Sequence, residues 1–400
     1  NSECLMKKLV YIAFAITFGL SACSSEGGSH SAVVRPDPNE GEDSSAVVIP
    51  AKPIDYSVAR AMNTKLGKGI NLGNAWESDC YNTKNPTPYN YGNTDGLDGC
   101  WSNPIKDDYF ALVKSAGFNS VRIPVRWQQN SNPTTHEVNP DRLNGVKEDV
   151  KLAIDAGLAV VISFHWYQEI MEAANNASKN PTAYQNELVH FTSIWTQVAK
   201  EFDSFPDDML VWDILNEPLM KDPTILNEVM LAGYTAIRAA APNKTIMFES
   251  NQAAKFYQIS ILNLPEDGNI IYSGHYYEPF TYSHQGHSYN CAGDGAYKNV
   301  ALADLTTYAG QIAKRYPDIN GGSIPVNMGE FGVSGGGVGP CGADDPSAKL
   351  KAQWAKLTIQ AAEANGFSWH YWGFVNVGGF EAYDKRNKEW YEGFPDAFGL

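Results

Sequence analysis

Residues 156–165 read Ala-Gly-Leu-Ala-Val-Val-Ile-Ser-Phe-His, an apolar run that begins after a glycine and ends in a histidine. Residues 116–124 repeat this arrangement as Ala-Gly-Phe-Asn-Ser-Val-Arg-Ile-Pro, and both stretches follow a longer amphipathic segment. Short runs rich in β-branched residues are typical of strands buried on both faces, and glycine often ends the preceding helix. The two stretches therefore predict amphipathic helices that lead into buried parallel strands.

The same alternation continues in both directions along the chain. The predicted strands cover residues 68–72, 118–124, 159–165, 210–215, 245–248, 270–273, 324–328 and 367–372. The predicted helices cover residues 105–116, 141–156, 183–202, 224–241, 302–315 and 346–365. Strands that alternate with helices form a parallel sheet, and eight strands predict an α/β fold of the closed (β/α)8 TIM barrel type. Only 28 residues follow Trp372, so we expect the eighth helix to be short or replaced by a loop.

A doubly wound open sheet is the competing architecture. Such a sheet usually carries a glycine-rich phosphate loop between its first strand and first helix. Two of the glycines in residues 67–73 lie before or inside the predicted first strand, not in a turn that opens a helix. The barrel is therefore favoured.

Composition restricts the partners of the protein. The chain has 400 residues, of which 43% are hydrophobic and 19% charged, as expected for a globular protein with a sizeable core. Its net charge of −15 repels nucleic acids and anionic lipid headgroups. We expect no nucleic-acid partner, and we expect a monomer.

The amino terminus has the pattern of an export signal. Met6 is followed by two lysines and by an apolar run over residues 9–20, which is too short for a membrane-spanning helix. The sequence Leu20-Ser-Ala-Cys23 then resembles the bacterial lipobox, in which cleavage precedes the cysteine and the cysteine receives lipid. We expect a lipoprotein of the bacterial outer membrane or cell surface, or otherwise a secreted protein, with membrane contact only through this anchor.

Three segments follow from these patterns. Residues 1–23 form the signal peptide with its lipobox, removed up to Cys23. Residues 24–53 are rich in Ser, Glu, Asp, Gly and Pro, and we expect a disordered linker there. Residues 54–400 form the barrel domain.

Four cysteines lie within the barrel domain. They are Cys80, Cys100, Cys291 and Cys341. An even number in an exported protein indicates two disulfides, and three pairings are possible. We favour Cys80–Cys100 and Cys291–Cys341 because the first pair flanks one loop. The cysteine spacing does not fit a zinc site, and we expect neither a metal nor a cofactor.

Polar and aromatic side chains stand where the predicted strands end. They are Arg122, His165, Asn216, Glu217, His275, Tyr277, Glu330 and Trp372. The carboxyl ends of barrel strands meet at one face, so we expect these side chains to share a cleft. Two carboxyl groups in one cleft, one neutral and one ionised, can cleave a glycosidic bond.

The eight residues in this order resemble glycoside hydrolase family five, which contains many endoglucanases and mannanases. The motif Ile214-Leu-Asn-Glu-Pro218 resembles the signature around its first carboxylate, and Gly69-Ile-Asn-Leu-Gly-Asn74 resembles the first strand of its endoglucanase-like members. The resemblance implies that Glu217 is the acid/base and Glu330 the nucleophile of a retaining enzyme. Their carboxyl groups are then expected about 5–5.5 Å apart. It further implies an endo-β-1,4-glucanase, a cellulase, whose partner is a β-linked polysaccharide.

The other strand-end residues receive supporting roles. Arg122 is expected beside Glu330, where its positive charge favours the ionised carboxylate, although a structural ion pair is the alternative. Asn216 is expected to hydrogen-bond the sugar 2-hydroxyl. Tyr277 is expected to hydrogen-bond Glu330. His165 and His275 are expected to orient hydroxyls or to tune the acid. Trp372 is expected to form the platform beneath the sugar.

Further aromatic residues occur in predicted loops at the same face. Trp76, Trp101, Trp127 and Trp166 are candidates for additional sugar subsites, with a structural role as the alternative for each. Glu77, Glu249 and Glu278 also lie near strand ends, where they are candidates for binding sugar hydroxyls, and we assign them no catalytic role.

Other functions remain open. A β-mannanase or xyloglucanase would use the same scaffold, and a transglycosylase would use the same two carboxylates. A surface glycan-binding lipoprotein without activity shares the anchor and the aromatic residues.

Overall fold

The computed structural model describes residues 51–79, 100–165, 167–285, 297–335, 346–375 and 377–400. The predicted signal peptide and nearly all of the predicted linker lie outside these ranges, so those two segments stay predictions. Among the described residues, none of the helices combines the length and the apolar character that a membrane crossing requires.

Strands and helices alternate along the described chain. In order, they are α1 (Ser57–Leu66), β1 (Lys68–Asn71), α2 (Asp107–Ser115), β2 (Ser120–Val125), α3 (Pro140–Asp155), β3 (Ala159–Phe164), α4 (Gln168–Asn175), α5 (Pro181–Phe202), β4 (Leu210–Asp213), α6 (Pro223–Ala240), β5 (Thr245–Glu249), α7 (Asn251–Ala254), β6 (Ile270–Tyr276), α8 (Phe280–Ser283), α9 (Ala301–Arg315), β7 (Val326–Phe331), α10 (Ala348–Ala364), β8 (Ser368–Tyr371), β9 (Tyr383–Asp384), β10 (Glu389–Trp390) and α11 (Phe394–Phe398). Short 3-10 helices occur at Gln128–Asn130 and Phe256–Ile261.

Strands β1 to β8 close into a parallel barrel in sequence order. Closure occurs between β1 and β8, where Lys68 pairs with Trp369 and Ile70 with Tyr371. A separate antiparallel pair, β9 and β10, follows the barrel. The predicted (β/α)8 barrel is confirmed.

Helix α1 closes the amino-terminal end of the barrel. Its residues Ala59, Met62 and Leu66 form a buried cluster with inward-facing residues of β3, β4, β5 and β6. Apolar side chains spaced by three and four positions share one face of a helix, which gives α1 a surface to bury. Sequence analysis missed this helix, although that spacing was present.

The starts of several helices are fixed by capping side chains. Asn139, Asn180 and Asp222 each accept a backbone N–H of the following turn, and each is followed by proline at the first helical position. A proline there loses no hydrogen bond, because the first N–H groups of a helix have no partner within it. These Asn-Pro and Asp-Pro pairs explain why the helices begin one or two residues before the predicted starts.

The eighth helix is short, as the number of remaining residues indicated. After β8 the chain forms the β9–β10 pair and then α11, which has five residues. Phe398 of α11 packs edge-on against Phe118 and Tyr371, with ring centroids 5.4 and 5.2 Å apart. This aromatic packing covers the β8 side of the barrel in place of a full-length helix.

Candidate active site

Arg122 occupies the centre of the barrel, and its side chain is fully buried. Nη1 donates to Oε1 of Glu330 at 2.7 Å and to Oδ1 of Asn71 at 3.1 Å. Nη2 donates to Oδ2 of Asp213 at 2.9 Å and to Oδ1 of Asn216 at 2.7 Å. One guanidinium therefore connects side chains from β1, β4, β7 and the loop after β4.

The buried charges in this cluster shift each other's protonation. Burial opposes the charge of Arg122, but Asp213, Glu330 and Glu249 outweigh it and raise its pKa above the ordinary value. Burial and the charge of Glu249 raise the pKa of Asp213 to about 7. Arg122 stays positive, while Asp213 can hold a proton near neutral pH.

Glu330 lies near the end of β7, and two different donors hold its two carboxyl oxygens. Arg122 contacts Oε1, and the hydroxyl of Tyr277 donates to Oε2 at 3.0 Å. Burial raises the pKa of Glu330, and the positive charges of His275 and Arg122 oppose that rise. The carboxylate is thus oriented, and the two positive groups limit a pKa that burial leaves above its ordinary value.

A register shift between β6 and β7 brings Glu330 beside His275. Gly274 pairs with Met328, but the next pair is His275 with Glu330, so Gly329 is passed over. An extra residue of this kind turns the side chain that follows it, and such irregularities occur often beside active sites. Nδ1 of His275 consequently lies 3.6 Å from Oε2 of Glu330.

Glu217 follows β4 and is more exposed than Glu330. Its side chain is 35% exposed, whereas that of Glu330 is 6% exposed. Its Oε1 lies 2.8 Å from Nδ1 of His275. One carboxyl oxygen of Glu217 and one of Glu330 lie within 4.8 Å of each other. This separation is near the value for retaining glycosidases and well below the roughly 6.5–9.5 Å of inverting enzymes.

His275 contacts carboxylates through both ring nitrogens. Nε2 lies 3.0 Å from Oε1 of Glu249, opposite the contact of Nδ1 with Glu217. Burial opposes its charge, but Glu249, Glu330 and Glu217 raise the pKa of His275 well above the ordinary value. The spacing of Glu217, His275 and Glu330 would also suit a metal ion. A protonated imidazole would have to lose a hydrogen before it could bind a metal.

Trp372 and His165 form one wall of the cleft. Their rings are stacked, with centroids 5.8 Å apart and an interplanar angle of 7°. Burial, together with the charges of Arg122 and His275, lowers the pKa of His165 well below its ordinary value, which keeps the ring neutral. A Cβ atom at Gly73 would lie 2.6 Å from the Trp372 ring, so glycine is required for this close approach. The half-buried Trp372 keeps one part of its surface accessible.

Two of the proposed subsite tryptophans are buried, and their predicted sugar contacts are wrong. Trp127 is 0% exposed and packs edge-on against Phe202, and Trp76 is 4% exposed. Nε1 of Trp76 donates to Asp149 at 2.7 Å, and Arg142 covers its ring. A ring without accessible surface cannot stack on a sugar, so both side chains are structural.

The sugar contacts proposed for the other two subsite candidates, Trp101 and Trp166, stay predictions. Trp101 is half-buried. Trp166 lies outside the described residues, as do Cys80, Cys291 and Cys341. Both predicted disulfides therefore stay predictions, and so does the identity of the cysteine bonded to Cys100.

Sequence reasoning assigned no catalytic role to several residues that surround Arg122. Asp213 is the last residue of β4, Glu249 is the last of β5, and both are fully buried. Asn71 of β1 donates to the backbone carbonyls of Gly329 and His370 at 3.0 and 3.1 Å. The available signal was a charged or amide residue inside an otherwise buried strand, which normally requires a polar partner.

A (β/α)8 barrel with two carboxyl groups facing each other at the carboxyl ends of its strands is an arrangement of retaining glycoside hydrolases. The family model for cellulase (glycosyl hydrolase family 5) matches residues 80–377. The chain belongs to glycosyl hydrolase family 5.

Individual relatives agree with this family. Endoglucanase H of Acetivibrio thermocellus is 26% identical over 78% of this chain and 30% of its own length. A xyloglucan-specific endo-β-1,4-glucanase of Bacteroides ovatus is 26% identical over 66% of this chain and 54% of its own length. The crystal structure of a hyperthermophilic endo-β-1,4-glucanase in complex with substrate has a TM-score of 0.69 and 31% identity, covering 86% of this chain and 100% of that one. The chain thus spans 30% and 54% of the length of the two curated relatives.

The different environments of two tryptophans predict different losses of stability. We expect Trp127→Ala to lower the free energy of unfolding by about 3–5 kcal/mol, because a large ring leaves a cavity in the core. Trp372→Ala, at a half-buried position, is expected to cost less than about 2 kcal/mol. Urea unfolding of both variants beside the wild type measures this difference, and equal losses would contradict the assignment of Trp127 to the core.

Proposed function

We propose that the protein is a retaining endo-β-1,4-glucanase that cleaves internal bonds of cellulose or related β-glucans. The observation that carries this proposal is the pairing of Glu217 and Glu330, with one oxygen of each within 4.8 Å of the other. The names of two relatives, endoglucanase H and the hyperthermophilic endo-β-1,4-glucanase, support the choice of substrate.

The two carboxyl groups divide the reaction between them. Glu217 donates a proton to the leaving oxygen while the carboxylate of Glu330 attacks the anomeric carbon and forms a glycosyl-enzyme. Water, deprotonated by Glu217, then attacks the same carbon and releases Glu330. The partial exposure of Glu217 gives it access to the leaving group and to water, whereas the buried Glu330 is held by Arg122 and Tyr277.

Asn216 and Trp372 are suited to hold the sugar that reacts. Because Oδ1 of Asn216 accepts from Arg122, the amide is oriented with Nδ2 as its remaining donor, which suits a contact with the sugar 2-hydroxyl. Trp372 offers an apolar ring face of the kind that stacks on a pyranose.

Xyloglucan is the second candidate substrate. It rests on the Bacteroides ovatus relative, whose name describes a xyloglucan-specific endo-β-1,4-glucanase. The two candidates share the catalytic residues and differ in how the cleft accommodates side chains of the polymer.

A substrate panel tests the proposed activity. Purified protein is assayed on carboxymethylcellulose, mixed-linkage β-glucan, xyloglucan and mannan, with release of reducing ends as the measurement. We expect the highest rate on one of the two unbranched glucans. Glu217→Gln is expected to lower kcat by about 10²–10⁴-fold, since a general acid contributes this much, and Glu330→Gln by at least as much.

Asp267→Asn provides a matched control for this panel. Asp267 pairs with Arg238 at 2.7 Å, away from the cleft, and its loss is expected to leave the rate constants unchanged. Equal activity of wild type and Glu330→Gln would exclude a role of Glu330 in hydrolysis. Binding of glycan without hydrolysis by wild type would instead favour the non-catalytic glycan-binding alternative.

We also propose that the protein is exported and anchored through lipid on Cys23. The support is the lysine pair, the apolar run over residues 9–20 and the lipobox-like Leu20-Ser-Ala-Cys23. An oxidising compartment would allow the disulfides Cys80–Cys100 and Cys291–Cys341 to form.

Metabolic labelling tests the anchor. Cells expressing the full chain are grown with radiolabelled palmitate, and the label is expected on the wild-type protein and absent from Cys23→Ser. Label on both proteins, or on neither, would contradict lipidation at Cys23.

A further inference from the structure

Glu249 contacts three parts of the active site through one buried carboxylate. Oε2 accepts the backbone N–H of Glu217 at 2.7 Å. Oε1 lies 3.0 Å from Nε2 of His275 and accepts from Nη2 of Arg122 at 3.2 Å. The side chain of Glu249 is fully buried, so these partners replace the water that a carboxylate otherwise binds. Neither of the two proposed reaction steps uses Glu249.

The first contact bears on the backbone of Glu217. This residue has φ of +49°, a left-handed conformation that side chains other than glycine, asparagine and aspartate seldom adopt. A non-glycine residue keeps such a conformation only where its surroundings hold it. Oε2 of Glu249 provides this by binding the N–H of Glu217 itself, which fixes the direction in which the Glu217 side chain leaves the backbone.

The second contact bears on the hydrogen atoms of His275. Nε2 faces the buried Glu249 carboxylate and therefore carries a hydrogen. With the ring positively charged, Nδ1 also carries a hydrogen and donates to Oε1 of Glu217. Oε1 is then an acceptor only, and Oε2 of Glu217 is the oxygen left to carry the proton that is transferred.

We propose that Glu249 is a positioning residue for the acid/base, because it fixes the backbone of Glu217 and holds His275 so that only Oε2 of Glu217 exchanges the catalytic proton. This inference rests on the proposed glycosidase function. In the first step the Oε2–H bond breaks and the proton bonds to the leaving oxygen, while the bond from that oxygen to the anomeric carbon breaks and Glu330 bonds to this carbon. In the second step a proton of the attacking water returns to Oε2, its oxygen bonds to the anomeric carbon, and the bond from that carbon to Glu330 breaks.

The charged groups around Glu249 determine the expected pH dependence. Arg122 on β2, Asp213 on β4, Glu217 after β4, His275 on β6 and Glu330 on β7 are linked by the ion pairs around Glu249. His165 after β3 also interacts electrostatically with His275. Among the carboxylates that raise the pKa of His275, Glu249 has the largest effect. Removal of its charge lowers that pKa, so His275 loses its Nδ1 proton at a lower pH, and activity is expected to fall earlier on the alkaline side.

Two substrates separate a positioning role from a structural one. Cellotetraose needs a proton on its leaving oxygen, whereas 2,4-dinitrophenyl β-cellobioside has a leaving group that departs without one. For Glu249→Gln we expect kcat/KM on cellotetraose to fall about 10- to 10³-fold, within the range of general acid catalysis. On the aryl cellobioside we expect kcat/KM to stay within about threefold of wild type, since that constant reports only the first step.

Reference variants make the outcome decisive. Glu217→Gln is expected to show the same pattern more strongly, and Asp267→Asn none of it. Glu249→Asp keeps the charge, and it is expected to restore the alkaline limb of the pH profile toward wild type while recovering only part of the rate. Circular dichroism verifies that each variant is folded.

Equal losses of Glu249→Gln on both substrates, or no loss on either, would overturn the positioning role while leaving the proposed function intact. If Glu249→Gln does not fold, the comparison is made with Glu249→Asp, and an unshifted selectivity between the two substrates overturns it as well. Wild-type protein inactive on both substrates would instead refute the proposed function.

Discussion

The structure depends on one constraint, the neutralisation of a positive charge at the centre of a barrel. Arg122 has no access to water, so its guanidinium must find hydrogen-bond acceptors and negative charge within the protein. Asp213, Glu249 and Glu330 accept its hydrogen bonds from three different strands, and in their ionised forms they supply the negative charge. Because a guanidinium is planar with donors in fixed directions, these carboxylates are held in fixed positions around it.

The same constraint separates the environments of the two reacting carboxyl groups. Glu330 belongs to the buried cluster and has both oxygens bound, which favours a fixed nucleophile. Glu217 lies at the edge, contacts the cluster through His275 and Glu249, and has a partly exposed side chain. Retaining hydrolysis requires two carboxyl groups in different surroundings, because one must act as the nucleophile and the other as the acid and base.

The sequence predicted the barrel because its buried strands form short β-branched runs between amphipathic helices, and it predicted the set of strand-end residues because parallel strands end at one face. It cannot show which way a loop side chain turns, so it does not distinguish a sugar subsite from a core position for Trp76 and Trp127, which both pack in the core. The partners of Arg122 depend on contacts between distant strands. The part played by Glu249 follows from the left-handed backbone of Glu217, which spacing along the chain does not show.

The central claim, that Glu330 forms a covalent bond to the sugar, is tested most directly by trapping the intermediate. The full-length enzyme is incubated with 2,4-dinitrophenyl 2-deoxy-2-fluoro-β-cellobioside, which slows the second step, and is then digested for peptide mass spectrometry. The account predicts one fluorocellobiosyl group on the peptide that contains Glu330, at that residue. An adduct on Glu217, or rapid turnover with inverted product configuration and no adduct, would contradict it.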